Sequence, residues 1–456
     1  MHEQNNQKTA LIISTLSSFT TPFMVSALNV ALPTLGKEFS LDAIALSWVA
    51  TSYLLAAAVF LIPFGRIADI YGRKKIFIYG TAVYSFFSLL IVFANSGNIL
   101  IGLRGLQGIG AAMVFGTGMA ILLSVTPPAK RGHVLGINVA AVYLGLSLGP
   151  FLGGMLTQYF GWRSIFYVNV LLGILIIVYT IWKLKGEWAE AKGDKFDLVG
   201  SSFFTIAMLA LMYGLSRLPH AEGVWTLILG IIFLIMFVIW ENRIQNPILD
   251  IRLFTHNTVF AMSNAAALVN YSATSAVTFL LSFYLQYVKG LPPRMAGIVL
   301  VSQPIFMTLI SPVAGRLSDK VEPRILSSIG MAFTVIGLVL FMTIGSDSSL
   351  TFITINLILL GIGFGLFSSP NTNAVMSSVG REVYGVASAT LGTMRLTGQM
   401  LSMGLVMLIF SLIIGRVQIT PENHEQLIHS LRLAFGIFAS LCFVGIFASL
   451  ARGKVR

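Results

Sequence analysis

Residues 44–94 read IALSWVATSYLLAAAVFLIPFGRIADIYGRKKIFIYGTAVYSFFSLLIVFA. Two apolar runs, at about 44–63 and 75–94, flank one short charged stretch, GRIADIYGRKK at 65–75. A helix of about 20 apolar residues crosses the hydrocarbon of a bilayer. A surface helix of a soluble protein would instead carry an apolar stripe beside a polar face. This stretch therefore reads as two membrane-crossing helices joined by a basic loop.

The pattern extends along the chain. Further runs fall at about 10–34, 98–125, 133–158, 163–182, 198–215, 224–240, 258–288, 294–314, 324–345, 350–375, 384–414 and 431–451. With the first two they make about fourteen transmembrane helices and an all-α integral membrane protein. Helices satisfy their own backbone hydrogen bonds in lipid, and the short alternating segments of a barrel are absent. The first run is too long for a signal-peptide core and reads as a retained helix.

Composition agrees. Only 10% of the 456 residues are charged and 56% are apolar, whereas soluble domains carry roughly 25% charged residues. The net charge of +12 would suggest nucleic acid in a soluble protein. Here the basic residues sit in short loops, so no nucleic-acid partner is expected. With the N-terminus inside, 20 of the 29 Lys and Arg fall on the cytoplasmic side and seven on the other. That asymmetry predicts a multi-pass protein of the cytoplasmic membrane with both termini inside. The single cysteine, Cys442, excludes an internal disulfide or CxxC pair. No HExxH metal pattern and no GxxxxGK[ST] phosphate loop occurs, so neither metal, cofactor, ATP-driven pumping nor enzymatic chemistry is expected. A monomer in the lipid bilayer is expected.

A weak repeat sets the organisation. Gly65-Arg66-Ile67-Ala68-Asp69 follows the second run, and Gly315-Arg316-Leu317-Ser318-Asp319 follows the tenth. Six helices, two extra helices and six more place the repeat in that register. The expected units are 1–182, a connector with the two extra helices at 183–257, and 258–456. Halves of this kind rock around a central site in transporters. The charged segment at about 183–197, KLKGEWAEAKGDKFD, reads as a solvated connector.

Three motifs carry candidate chemistry. In Gly65 to Lys75, Asp69 is the only acid among basic residues; it can pair with Arg73 or face a helix N-terminus. The cluster is either a latch between helix ends or an ordinary basic loop. In Leu103 to Gly110, Arg104 lies inside an apolar run with Gln107 on the same face. It is either a functional intramembrane charge or a side chain snorkelling to the interface. In Gly145 to Gly154, glycines at 145, 149 and 153 recur every four residues and form a smooth stripe for a neighbouring helix. Pro150 is expected to kink that helix or loosen its hydrogen bonds.

These motifs resemble those of the major facilitator superfamily. Gly65, Asp69, Gly72, Arg73, Lys74 and Lys75 match its signature loop, which in that family controls the switch between inward and outward states; the second copy, ending at Asp319, is degenerate. Arg104, Gln107 and Gly108 are similar to an Arg-x-x-Gln-Gly element implicated in proton coupling. Gly145, Gly149, Pro150, Gly153 and Gly154 resemble the antiporter signature. With WRSIFYVN at 162–169, ENRIQNPILDIRLF at 241–254 and the six-two-six layout, the chain resembles the fourteen-helix drug:proton antiporters. The resemblance implies a secondary transporter that exports small amphipathic or drug-like molecules by alternating access in exchange for protons.

One departure qualifies this. That family usually carries an Asp in the first helix, ahead of a Val-Ala-Leu-Pro stretch; here Asn29-Val30-Ala31-Leu32-Pro33 is present, but Met24 stands at the acid's position. All 17 Asp and Glu fall in loops, at helix ends or near a terminus. The polar candidates inside the membrane are Asn29, Arg104, Gln107, Asn270, Tyr271, Ser302, Gln303, Arg395 and Gln399. They read either as a substrate pocket, with Met24, or as interhelix packing. Lacking a mid-membrane carboxylate, the protein is expected to prefer a neutral, zwitterionic or anionic substrate. An uncoupled facilitator of an anionic or neutral metabolite remains the alternative, and a membrane sensor the remote one.

Overall fold

The computed structural model describes residues 2–127, 131–244, 247–249, 251–318, 320–380 and 384–453. Fourteen helices among them are long and apolar enough to cross a membrane: Asn6–Phe39 (α1), Ala43–Tyr71 (α2), Arg73–Val92 (α3), Gly97–Ser124 (α4), Gly136–Phe160 (α5), Arg163–Lys183 (α6), Leu198–Arg217 (α7), Ala221–Glu241 (α8), Thr258–Val288 (α9), Pro293–Leu317 (α10), Pro323–Phe341 (α11), Leu350–Ser377 (α12), Val386–Ile413 (α13) and Pro421–Ala451 (α14). No strand occurs among the described residues.

The helices start where the sequence supplies an acceptor. Asp42, Ser96, Asp197, Asn257 and Ser349 each accept a first-turn N–H with the side chain, satisfying groups that a helix start leaves unpaired. Several helices outrun their apolar runs. The stretch Gly65 to Tyr71, read from sequence as loop, forms the last two turns of α2, and only Gly72 separates it from α3. Gly72 has φ +118°, where a side chain would be strained.

Helix pairing repeats eight helices apart. Contacts of α1 with α5, α2 with α4, α3 with α4 and α3 with α6 recur as α9 with α13, α10 with α12, α11 with α12 and α11 with α14. The two sets, α1–α6 and α9–α14, meet through α2 against α13 and α5 against α10. Those two contacts are equivalent under the same shift. The pair α7–α8 stands outside both sets, with α7 against α2 and α13. On α8, Trp225, Ile231, Ile232, Ile235 and Ile239 are exposed, the lipid-facing surface of a helix that packs on α7.

The sets close most tightly at the end opposite the termini. Ser282 Oγ donates to Asn29 O at 2.7 Å, Gln286 Nε2 to Val30 O at 2.8 Å, and the Arg294 N–H to Gln158 Oε1 at 3.3 Å. Here α9 is irregular. Its α-helix breaks at Ser275 and Ala276, where the Ala276 N–H donates to Ser402 Oγ at 3.1 Å, and it ends in a π-turn, Tyr284–Val288. A π-turn leaves one more residue per turn than an α-helix and re-aims side chains; here it presents Gln286 and Tyr287 to α1.

Candidate functional site

Arg104 is only 1% exposed, so it does not snorkel. Its guanidinium donates to Val49 O of α2 at 3.2 Å and to Gln107 Oε1, and it lies 4.2 Å above the centre of the Tyr53 ring. Gln107 Nε2 passes the chain to Ser88 Oγ at 2.6 Å, and Ser88 Oγ donates to Tyr84 O at 2.7 Å. The Tyr84 hydroxyl donates to Asn169 Oδ1 at 3.1 Å, and Asn169 Nδ2 lies 2.6 Å from Met24 Sδ. One buried network thus joins α2, α4, α3, α6 and α1. At the position where the resemblance expects an acid, a thioether stands against an amide. A buried cation without a carboxylate is held by carbonyl and ring dipoles alone.

A second polar cluster lies between the sets. The Tyr143 hydroxyl of α5 donates to Ser368 Oγ of α12 at 2.8 Å, and Ser147 Oγ is 3.2 Å from Thr308 Oγ1 of α10. Tyr271 of α9 meets Phe364 edge-on at 5.3 Å, and both pack with Tyr143. Arg395 of α13 acts electrostatically on Tyr143. Arg395 and Gln399 are half-buried, and Arg395 makes no hydrogen bond or ion pair among the described residues. Aromatic faces, hydroxyls and one unspent cation suit a flat amphipathic solute with a polar or anionic edge.

The other candidates lie apart. Asn270 is fully buried inside the second set, with Nδ2 3.9 Å from Cys442 Sγ. Gln303 is buried at the α10–α12 contact, and its Oε1 has no partner among the described residues. Ser302 bonds back to Val299 O in its own helix. Asn29 contributes its carbonyl to the closed end. Sequence reading missed Tyr53, Tyr84, Ser88, Tyr143 and Asn169. For Tyr143 a signal existed: two residues before Gly145, it lies roughly 200° around the helix from the stripe.

The stripe itself packs on α1. A Cβ on Gly145, Gly149 or Gly153 would stand 2.4 Å from Phe19 O, 2.6 Å from Ser26 Cβ and 2.6 Å from Ala27 Cα. Gly154 serves the other contact, because its Cβ would meet Pro293 O of α10 at 2.5 Å. Pro150 has no N–H for the Leu146 carbonyl, and Ser26 Oγ of α1 donates to that carbonyl instead at 3.2 Å.

At the end carrying the termini, Arg73 Nε donates to Asp69 Oδ1 at 2.7 Å and Nη1 to Ser124 Oγ at 2.6 Å. The same guanidinium grips both oxygens of Glu190 at 2.7 and 3.0 Å. Glu187 accepts the N–H groups of Lys74 and Lys75 at 2.7 and 3.2 Å, Lys74 Nζ donates to Leu184 O, and Arg66 pairs with Asp194 at 2.7 Å. The connector at 183–197 is thus not a free link: three of its four acids, Glu187, Glu190 and Asp194, dock on the signature motif. Carboxylates belong there, since α3 opens with its positive end and three basic residues. Gly65 has nothing within 4 Å of its Cβ position. Asp319, the candidate in the second copy, lies outside the described residues.

In the second set the tail after α14 reaches the corresponding place. Arg452, fully buried, donates to Pro323 O at the start of α11 at 3.2 Å and to Asn371 Oδ1 of α12 at 3.0 Å. Burial pushes its guanidinium down to about 10, while Glu322 beside it pushes back up.

Comparison with known proteins fits this geometry. The family model described as Major Facilitator Superfamily matches residues 14–403. The riboflavin transporter RibZ of Clostridioides difficile is 30% identical over 96% of this chain and 95% of its own. The multidrug resistance protein Stp of Mycobacterium tuberculosis is 32% identical over 81% of this chain and 70% of its own. A crystal structure of the peptide transporter POT in complex with sulfate superposes with a TM-score of 0.73 at 15% identity, covering 99% of both chains; at that identity it supports the fold alone.

Proposed function

We propose, from the premise that this chain belongs to the Major Facilitator Superfamily, that it exports small, flat amphipathic molecules that are neutral or anionic. The observation that carries the reading is Arg395, half-buried on α13, without a hydrogen bond or ion pair among the described residues and acting electrostatically on Tyr143, which packs with Tyr271 and Phe364. A cation there rejects cationic solutes and receives a carboxylate or a polarised carbonyl. The substrate would pass between α1–α6 and α9–α14 as the sets rock, with both termini in the cytoplasm, where the basic loops lie. The asymmetric closure of the ends supports alternating access. The Asp69–Arg73–Glu190 cluster is the gating latch in this reading. The similarity to Stp, a multidrug resistance protein, supports export.

Uptake or uncoupled flux of a neutral aromatic solute is the second reading. Met24 in the acid's position favours it, as does similarity to a riboflavin transporter.

Purified protein in liposomes holding a pH-sensitive dye, challenged with cationic, neutral and anionic amphiphiles, separates the two. The first reading expects flux of neutral or anionic compounds with proton movement. Arg395→Ala should lower flux of the anionic class about tenfold or more, the equivalent of losing one charge-assisted hydrogen bond. Flux without protons gives the facilitator reading. Unchanged anion flux in Arg395→Ala removes the assigned site.

A further inference from the structure

The extra helices α7 and α8 carry two acids at the end that bears the termini. Asp197 caps α7, with Oδ1 accepting the Gly200 N–H at 3.0 Å. Glu241 closes α8, with Oε2 accepting the Leu249 N–H at 3.1 Å. Both residues are buried, and Glu241 is only 3% exposed. The carboxylate oxygens not used in those backbone bonds converge. A Cβ on Gly200 would stand 2.1 Å from Asp197 Oδ2 and 2.5 Å from Glu241 Oε1. Trp240 Nε1 donates to both oxygens of Asp197 at 3.1 Å, whereas Glu241 Oε1 has no donor among the described residues.

Two carboxylates so placed cannot both carry charge without strong repulsion in a desolvated site. No cation relieves them: neither forms an ion pair among the described residues. Lys195, Arg243, Arg252 and His256 are exposed. On α2, Arg66 and Asp69 are engaged with Asp194 and Arg73, and on α13 Arg395 lies near Tyr143.

We propose that Asp197 and Glu241 hold one proton between them, so that the foot of α7 and α8 is a proton-binding site. Asp197, with its N–H donors, is the ionised member. Glu241 carries the proton on Oε1 and donates it to Asp197 Oδ2. Loss of that proton leaves two anions face to face, and their repulsion strains the end of α8 that the Leu249 N–H holds through Glu241 Oε2. Leu249 packs with Leu55, Val59 and Ile62 of α2 and with Met400 and Met407 of α13, the helices that join the sets. The proton's consequence for transport rests on the proton-coupled reading above; its presence does not.

Infrared spectra of the purified full-length protein in lipid nanodiscs at neutral pH test this without substrate. The expected result is a protonated-carboxyl stretch that shifts in D2O, is lost in E241Q, moves in frequency in D197N as the acceptor changes, and stays in the D69N control. Absence of that band in the wild type overturns the proposal, as does a band unmoved by either E241Q or D197N. Because this readout involves no flux, its failure is separate from failure of the transport assay.

Discussion

Arg104 and Met24 are two ends of one buried chain, and each can be tested by a single substitution. Arg104 satisfies acceptors on two helices and faces a tyrosine ring. Arg104→Lys places one compact ammonium where a planar fork served several partners. A buried acceptor left unpaired costs about 1–3 kcal/mol, so thermal unfolding of Arg104→Lys in detergent should come several degrees earlier, with transport reduced. Met24→Asp should do the opposite for coupling. The new carboxylate would stand beside Asn169 Nδ2, and the dye assay should show added substrate-induced proton movement with cationic compounds now accepted. A variant with the parent's proton yield and charge preference would remove position 24 from the coupling path. Arg104 and Gln107 were legible in sequence because they lie three apart on one helix. Ser88, Tyr84 and Asn169 were not. Ser88 and Tyr84 are scattered among other small polar residues of one apolar run and Asn169 lies in another, and chain order does not show that α3 lies between α4 and α6.

At the scale of elements, the glycine stripe and the connector make contrasting predictions. The stripe was readable as a packing surface, though its partner was not. Gly145→Ala forces a methyl to 2.4 Å from Phe19 O, whereas Gly102 has nothing within 4 Å of its Cβ position. Overpacking typically costs about 1–3 kcal/mol. Gly145→Ala should therefore unfold at lower temperature than the parent, and Gly102→Ala should match or exceed it, since alanine favours a helix. The connector is solvated, as its mixed charge suggests, but its docking was not legible, because mixed charge looks alike in a free link and in a docked strap. What composition hides is register: Glu187, Glu190 and Asp194 meet Lys74, Arg73 and Arg66 in turn. Glu190→Ala removes two charge-assisted bonds at once. Trypsin should then cut at Lys192 or Lys195 several-fold faster in that variant, read by gel against the parent. Equal rates would mean that backbone bonds such as Arg73 N–H to Trp188 O hold the strap without Glu190.

The whole molecule repeats its helix pairing with a shift of eight, and two of the contacts between sets, α2–α13 and α5–α10, exchange under that shift. Fourteen runs and one short repeated motif were enough to foresee this layout, since both record where the chain crosses lipid. Which end is closed was not foreseeable, because one sequence encodes every state of the cycle. Two equivalent contacts suggest hinges about which the sets tilt, so closure at one end goes with opening at the other. The closed end, where Arg294 meets Gln158 and Tyr159, must then part in each turnover. With Cys442 replaced by Ser to leave no native thiol, Gln158→Cys and Arg294→Cys joined by a short bifunctional thiol reagent should abolish transport. Reduction of a cleavable reagent should restore it, while each single cysteine should transport normally when treated alike. Full transport by the cross-linked protein would mean that substrate crosses without this end opening, and a rocking cycle about α2–α13 and α5–α10 could not be its path.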